Sequence, residues 1–168
     1  LPKEDIQSLI DRIVSRGGMV KNLHGQKNLY YQVNATYYSA LGESDEKMLL
    51  ARAIQMFMPG KSQIWYLDLF AGKNDHEAVR RAGESGHKEI NRTNLSTDQI
   101  TEGLKKDVVQ KQLALIRMRN THKAFSEGAE VAISGGERSL EIRWEYNSAF
   151  ATLYVNFESG TYTIVESK

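Results

Sequence analysis

Apolar residues recur at helical spacing in three separate segments of the chain. The first follows Pro2, carries acidic residues in its first turn and stops at Gly17-Gly18. The second begins after Ser44, a residue that can cap a helix, is apolar on almost every side, and is broken by Pro59-Gly60. The third covers residues 108–125. We therefore predict three helices, the second of them buried on more than one face.

The apolar period changes to two from residue 129 onward. Four short alternating segments are separated by residues that favour turns, such as Gly135-Gly136 and Ser159-Gly160. This pattern predicts a four-stranded antiparallel sheet, with a boundary near residue 127 before it. Trp144 lies on the same face of its predicted strand as Leu140 and Ile142, so we expect its ring to point into the core.

The middle of the chain is less regular. Residues 19–42 predict a long connection with one short extended run at 29–33, and residues 63–69 form a nearly continuous apolar run typical of a buried parallel strand. Residues 70–94 then predict a polar loop, and Ser96 with Gln99 matches a capping box that begins a short helix. A helix, a turn and a buried strand make half of an α/β unit, whose loop would lie on the catalytic face of a (β/α) barrel.

Composition narrows the possible partners. The chain has 168 residues, with 22 Lys and Arg against 21 Asp and Glu, so its net charge of +1 does not favour nucleic acid or an anionic membrane. A neutral small molecule or a protein surface is the expected partner. The chain has no cysteine, its four histidines lack the spacing of metal ligands, and no stretch approaches the ~20 apolar residues of a membrane span. We expect a cytoplasmic protein without a metal, and a start on Leu1-Pro2 predicts a piece of something longer.

Five blocks of sequence in the middle of the chain point to a known family. They are Gln32-Val33-Asn34, Thr36-Tyr37-Tyr38-Ser39-Ala40-Leu41-Gly42, Leu50-Ala51-Arg52-Ala53-Ile54-Gln55, Leu69-Phe70-Ala71-Gly72-Lys73-Asn74-Asp75 and Ile90-Asn91-Arg92. In residues and in order, these blocks are similar to the sucrose-phosphorylase-like glycoside phosphorylases of the α-amylase superfamily (glycoside hydrolase family 13).

The resemblance implies both a fold and a reaction. Residues 1–127 would be the last part of a (β/α)8 catalytic barrel, with its helices and final strand, and residues 128–168 a small antiparallel β domain. The family cleaves glucosides by a retaining mechanism with inorganic phosphate as co-substrate, without a cofactor, and needs two carboxyl groups about 5 Å apart. In the family these carboxyl groups lie upstream of the matched region, so this chain would hold no catalytic residue and would be inactive alone.

The resemblance also assigns three substrate-binding residues. Tyr31 and Gln32 belong to a loop on the acceptor and phosphate side of the pocket, and Arg92 would contact the bound glucosyl unit. Relatives that act on sucrose carry a Leu-Asp pair where this chain has Lys27-Asn28-Leu29-Tyr30. Other segments, Trp65-Tyr66-Leu67-Asp68 and Gly86-His87-Lys88-Glu89, look closer to the branches that act on glucosylglycerate or on phosphorylated sucrose. A second departure is Lys61-Ser62, where relatives show an apolar residue and Pro.

Two questions stay open at the level of sequence. Asp68 ends the apolar run where barrel enzymes place catalytic groups, but a strand-end Asp also accepts backbone hydrogen bonds, and we favour this structural role. The alternative to a phosphorylase segment is a stand-alone carbohydrate-binding or interaction module built on the terminal sheet, whose aromatic residues include Tyr154 and Tyr162. We further expect the chain to self-associate, through apolar surface exposed around 64–67 and on the helix of Leu49 and Phe57.

Overall fold

The computed structural model describes residues 2–22 and 30–167, which fall into two compact units. The first unit comprises Leu1–Ser44 and Trp65–Leu104, and the second comprises Asp45–Ile64 and Lys105–Lys168. The elements in chain order are α1 (Lys3–Ser15), β1 (Met19–Asn22), β2 (Tyr30–Asn34), α2 (Tyr37–Ala40), α3 (Asp45–Phe57), α4 (Tyr66–Leu69), α5 (His76–Ala82), a 3-10 segment (Gly83–Asn91), α6 (Thr97–Gly103), α7 (Asp107–Thr121), a 3-10 turn (Lys123–Phe125), β3 (Glu130–Gly136), β4 (Ser139–Tyr146), β5 (Ala149–Asn156) and β6 (Thr161–Glu166).

The predicted helices are confirmed as α1, α3, α6 and α7. Pro2 occupies the N-cap position of α1, and Gly17 adopts a φ of +83° after the helix, a conformation that glycine tolerates without strain. The capping box of α6 is complete: the Ser96 hydroxyl accepts from the Gln99 backbone N–H, and the Gln99 side chain accepts from the Ser96 N–H. Local sequence therefore fixes where these helices begin and end.

The second unit is built on the predicted antiparallel sheet, in the order β3-β4-β5-β6. Ile142 and Leu153 pair directly across β4 and β5 and are both fully buried. Trp144 points inward as predicted: it is 8% exposed, and its Nε1 donates to the Phe57 carbonyl over 2.6 Å. Met56 and Phe57 of α3 pack into the same apolar cluster, so this helix covers the sheet.

Helix α7 shares that cluster through Leu115, and a buried polar contact joins it to α3. The Arg52 Nε donates to the Gln112 Oε1 over 2.8 Å. Within this chain α3 and α7 are thus grouped with the sheet. A domain boundary near residue 127, with a barrel portion over 1–127, stays a prediction about the parent protein.

The prediction of a buried strand over 63–69 is wrong. Residues 63–65 have no regular structure, and α4 follows them. A parallel strand needs backbone hydrogen bonds to neighbouring strands, and the described residues offer none here. Instead, the Trp65 Nε1 and the Tyr66 hydroxyl donate to backbone carbonyls of the same unit, which fixes the segment in an irregular path.

Two further predictions need correction. Residues 70–94 are not an open loop, because α5 and the 3-10 segment occupy most of them. Residues 19–42 contain a two-stranded hairpin: the predicted extended run is β2, but its partner β1 was missed. Short strands rich in polar residues give little periodic signal, since a single hairpin buries little apolar surface.

The apolar surface that we expected around 64–67 and on α3 is largely covered. Leu49, Phe57 and Leu67 are buried, whereas Trp65 is 47% exposed. Helix α3 packs on the sheet and Leu67 packs within the first unit, so the chain satisfies most of this surface internally. Self-association stays a prediction, with Trp65 and the exposed Leu9 as the apolar residues that support it.

The sheet core generates a first prediction. Ile142→Ala should lower the free energy of unfolding by about 2–5 kcal/mol, because a fully buried side chain is removed and leaves a cavity. Its cross-strand partner Ile133 is 49% exposed and supplies a matched control. We expect Ile133→Ala to cost about 0.5 kcal/mol or less in chemical denaturation. Equal losses for the two variants would contradict the difference in burial between Ile142 on β4 and Ile133 on β3.

Candidate functional site

Asp75 fixes the start of α5 and ties it to the segment that precedes Arg92. Its Oδ1 accepts from the Ala78 backbone N–H over 2.8 Å, and its Oδ2 accepts from the Thr93 hydroxyl over 2.9 Å. The Asp75 backbone N–H donates to the Ile90 carbonyl over 2.8 Å. The Ala78 N–H holds the pKa of this carboxyl below its ordinary value, and the Thr93 hydroxyl and the Arg81 charge act in the same direction against partial burial.

Asn74 makes the corresponding connection to the segment that follows β2. Its side-chain Oδ1 accepts from the Thr36 backbone N–H over 2.7 Å, and its own backbone N–H donates to the Ser39 hydroxyl over 3.0 Å. The Ser39 hydroxyl in turn donates to Glu43, whose carboxylate is ion-paired with Lys73. The hydrogen bond from Lys73 holds the pKa of Glu43 below its ordinary value. These residues therefore stabilise the backbone of the first unit.

The segment around Asn91 is fixed from several sides. The Asn91 Nδ2 donates to the Ala35 carbonyl over 3.2 Å, and the Trp65 Nε1 donates to the Asn91 carbonyl over 2.9 Å. One residue earlier, Ile90 is fully buried. One residue after Arg92, the Thr93 carbonyl accepts from the Tyr66 hydroxyl over 2.8 Å. The backbone on both sides of Arg92 is thus held by its neighbours.

Arg92 lies at the rim of a cavity of about 500 Å³ in the first unit. Its side chain is 52% exposed, and its Nη1 lies 3.5 Å from the Glu89 Oε1. A second guanidinium, that of Arg81, lines the same cavity. The lining residues are Asp75, Ala78, Arg81, Ala82, Glu89, Arg92, Thr93 and Asn94. The arrangement offers cationic, planar hydrogen-bond donors on a shallow surface, which suits recognition of hydroxyl or anionic oxygens.

Gln32 is placed differently. It lies in β2, opposite Lys21, and its Oε1 is buried without a hydrogen-bond partner among the described residues. The Nε2 of His87, in the 3-10 segment that contacts β2, is also buried without a hydrogen-bond partner among the described residues. Burial and the charges of Lys21 and Lys88 lower the pKa of His87, which favours the neutral form of its ring. Two buried polar atoms that lack partners are what a bound ligand would satisfy.

The three predicted site residues are described to different extents. Arg92 lines the cavity described above, and Gln32 is not among the lining residues. The backbone of Tyr31 belongs to β2, at the irregular position where the pairing shifts between Lys21 and Asn22. Its side chain lies outside the described residues, as do Lys27, Asn28 and Leu29 of the segment that differs from sucrose-specific relatives.

Asp68 has the structural role that the sequence favoured. Its Oδ1 accepts from the backbone N–H of Tyr37, at the start of α2, over 2.7 Å.

The terminal sheet bears on the alternative of a sugar-binding module. Trp144 is buried and cannot serve as a stacking platform, which leaves Tyr154, 45% exposed, as the accessible ring among those considered.

Sequence reasoning missed three residues of the first unit. The role of Asp75 could have been recognised, because an Asx residue just before a short acidic-to-basic helix is a typical N-cap. Asn74 instead contacts Thr36 and Ser39, which are distant in sequence. Arg81 lines the cavity from the last turn of α5, but a helix there was not predicted, so nothing in the sequence pointed to it.

The described residues also bear on metals and membranes. Within 2–22 and 30–167, no group of three or more His, Cys, Asp or Glu side chains is arranged to hold a metal ion. In the same part of the chain, no helix is both long and apolar enough to cross a bilayer.

Asp75 generates a prediction about pH. Its pKa is lower in the folded than in the unfolded chain, so its charge stabilises the fold fully above about pH 4, and this contribution is lost as the pH falls through the folded pKa. Chemical denaturation should show a constant stability difference between the wild type and Asp75→Asn from pH 7 to about pH 5, and a smaller one at about pH 3. Thr93→Val, which removes one donor to the carboxylate, should reduce the pH-dependent part. A difference that is the same at pH 3 and pH 7 would contradict this role.

The chain was compared with known proteins. No model of a protein family matches it. It is 52% identical to a sucrose 6(F)-phosphate phosphorylase from Ilumatobacter coccineus, over 98% of this chain and 32% of that protein. It is 35% identical to a glucosylglycerol phosphorylase from Marinobacter adhaerens, over 99% of this chain and 36% of the relative.

A solved structure agrees with these relatives. The crystal structure of sucrose 6F-phosphate phosphorylase from Thermoanaerobacter thermosaccharolyticum superposes with a TM-score of 0.91 at 34% identity, over 100% of this chain and 35% of that one. The chain thus spans about a third of the length of the curated relatives it matches. It belongs to the sucrose-phosphorylase-like glycoside phosphorylases and corresponds to a C-terminal segment of them.

Proposed function

We propose that this chain is the part of a retaining glycoside phosphorylase that supplies substrate-binding residues, and that the catalytic carboxyl groups lie in the remainder of the enzyme. The substrate would be a sucrose-like or glucosylglycerate-type glucoside, cleaved with inorganic phosphate to give glucose 1-phosphate, without a cofactor. The observation that carries the proposal is Arg92: a half-exposed guanidinium at a cavity rim, on a backbone fixed by neighbouring hydrogen bonds.

A fixed backbone matters because a binding residue assists a reaction mainly by orienting the substrate. The planar donors of a guanidinium can hold two sugar oxygens at once, whereas an ammonium group offers a point charge. Contacts that strengthen as the glucosyl ring flattens toward an oxocarbenium-like transition state lower the barrier as well as the dissociation constant. Arg92 would make such contacts, and its ion pair with Glu89 would orient the guanidinium when no substrate is bound.

Gln32 and Tyr31 would serve the acceptor and phosphate side. The buried, unpartnered Oε1 of Gln32 supports this assignment, since it needs a donor that the described residues do not provide. An acceptor hydroxyl is a donor of the required kind. His87 would join this group, because its neutral ring also has a nitrogen without a partner.

The chain alone should not carry out the reaction. Asp68, Asp75 and Glu43 are each held by backbone or side-chain donors within the first unit, so they are engaged in stabilising the fold. A retaining mechanism needs one free carboxylate as nucleophile and one carboxylic acid to protonate the leaving oxygen. We assign both to residues outside this chain.

Inactivity of the isolated chain is directly testable. The purified chain, incubated with sucrose, sucrose 6′-phosphate or glucosylglycerate and phosphate, should release no glucose 1-phosphate above the background rate. Adding the complementary portion of a full-length relative in excess offers a positive control for the assay. Release at an enzyme-like rate by the chain alone would overturn the assignment of the catalytic carboxyl groups.

Arg92 provides the test of the binding role in a full-length enzyme that carries this segment. Arg92→Ala should lower kcat/KM for phosphorolysis by about tenfold to a hundredfold, the value of one or two charge-assisted hydrogen bonds. Arg92→Lys should be nearly as harmful, because it keeps the charge but loses the planar pair of donors. Arg80 is the matched control: it is exposed on α5, pairs with Glu77 and does not line the cavity.

The outcomes separate two roles for Arg92. A fall in both kcat and kcat/KM, with Arg80→Ala unchanged, supports contacts that tighten in the transition state. If Arg92→Lys kept full kcat/KM, the guanidinium would be a surface group and its assignment to the substrate would be wrong.

A further inference from the structure

The second unit contains a cavity of about 450 Å³ beside the turn that follows α3. Its lining combines apolar side chains with polar and cationic ones. The lining residues are Met56, Gly60, Lys61, Ser62, Ile64, Ile116, Arg119, Asn120 and Phe125. No aspartate or glutamate is among them, so the cavity has positive charge without a described counter-charge.

Arg119 is the principal charge of this cavity. Its guanidinium carbon lies 4.6 Å from the ring centre of Phe125 and 4.4 Å from that of Trp144, so two aromatic rings cover the group. The Nη2 donates to the Gly60 carbonyl over 3.3 Å, whereas the Nη1 is buried and has no acceptor among the described residues. The same burial lowers the pKa of Arg119, which reflects the cost of holding this charge away from water.

The facing wall of the cavity is a fixed turn. The Ser62 hydroxyl donates to the Gln55 carbonyl over 3.0 Å, and the Gln55 Nε2 donates to the Gln63 carbonyl over 2.9 Å. These bonds attach the turn to the last part of α3. They hold Lys61 at the cavity, and its ammonium group forms no ion pair within the described part of the chain.

We propose that this cavity binds a phosphate group, either inorganic phosphate or the phosphate of a small monoester, with Arg119 and Lys61 supplying the charge. The site is separate from the cavity at Arg92, with which it shares no lining residue. Asn120 and Ser62 add polar atoms at the rim. Apolar lining residues such as Ile64 and Ile116 would contact the organic part of a monoester.

The number and type of cations favour phosphate over a carboxylate. A phosphate monoester carries nearly two negative charges at neutral pH, since its second pKa is about 6. One guanidinium and one ammonium match that charge, and the Nη1 of the guanidinium keeps donor capacity that no described residue uses. A single carboxylate would leave one of the two cations unneutralised.

The test is titration of the full chain with inorganic phosphate, followed by calorimetry and by ¹H–¹⁵N NMR in a low-salt chloride-free buffer. We expect saturable binding, with shifts confined to the turn at 60–62 and to the end of α7 near 116–120. Lys61→Gln should weaken binding about tenfold or more, as expected for one charge-assisted contact, and Arg119→Gln should abolish it. A second arm with phenyl phosphate distinguishes the sources: tighter binding than inorganic phosphate points to a monoester, and equal or weaker binding points to the free ion.

Three controls locate the site. Arg117→Gln and Lys123→Gln remove the same charges from exposed positions on α7 and on the 3-10 turn that do not line the cavity, and both should bind as the wild type does. Arg92→Ala should also leave this binding unchanged, which separates it from the proposed substrate site. Lys61 is exposed, so its variant tests the proposal even if Arg119→Gln does not fold. Absence of binding, acetate binding as tightly as phosphate, or shifts centred on Arg81 and Arg92 would overturn the proposal.

Discussion

The first unit depends on hydrogen bonds from a few side chains to the backbone of irregular segments. Asn74 and Asp75 connect the segment after β2, the start of α5 and the segment before Arg92. A unit with two short strands and mainly short helices has few regular backbone bonds to hold such segments together. Each buried backbone group that lost its partner would cost about 1–3 kcal/mol, so a single amide or carboxylate here fixes several residues at once.

The second unit is stabilised in a different way. Its sheet presents one apolar face, and the buried side of α3 covers that face with Met56 and Phe57. A charged group lies at the edge of this apolar cluster, because the aromatic rings that pack the core also cover the guanidinium of Arg119. Packing of this kind depends on area and volume, and therefore tolerates exchange of similar side chains better than the hydrogen bonds of the first unit do.

This difference explains how much could be predicted from the sequence. The sheet, α3 and α7 follow from apolar periodicity, and the inward position of Trp144 follows from alternation with Ile142. The same analysis gave a wrong strand at 63–69, because an apolar run does not indicate whether neighbouring strands exist to form backbone hydrogen bonds with it. Hairpin β1-β2 and helix α5 are positioned by side-chain hydrogen bonds to residues distant in sequence, a signal that periodicity does not contain.

The same reasoning separates structural from functional residues within the family's sequence blocks. In Leu69-Phe70-Ala71-Gly72-Lys73-Asn74-Asp75, the polar side chains at the end are engaged in bonds within the unit, and so is Asn91 in Ile90-Asn91-Arg92. The buried Ile90 and the hydrogen-bonded Asn91 leave Arg92 as the side chain of its block that extends to the rim of a cavity. A block can therefore resemble a catalytic signature while most of its residues hold one side chain in place, and a fixed backbone is what the proposed role of Arg92 in substrate binding requires.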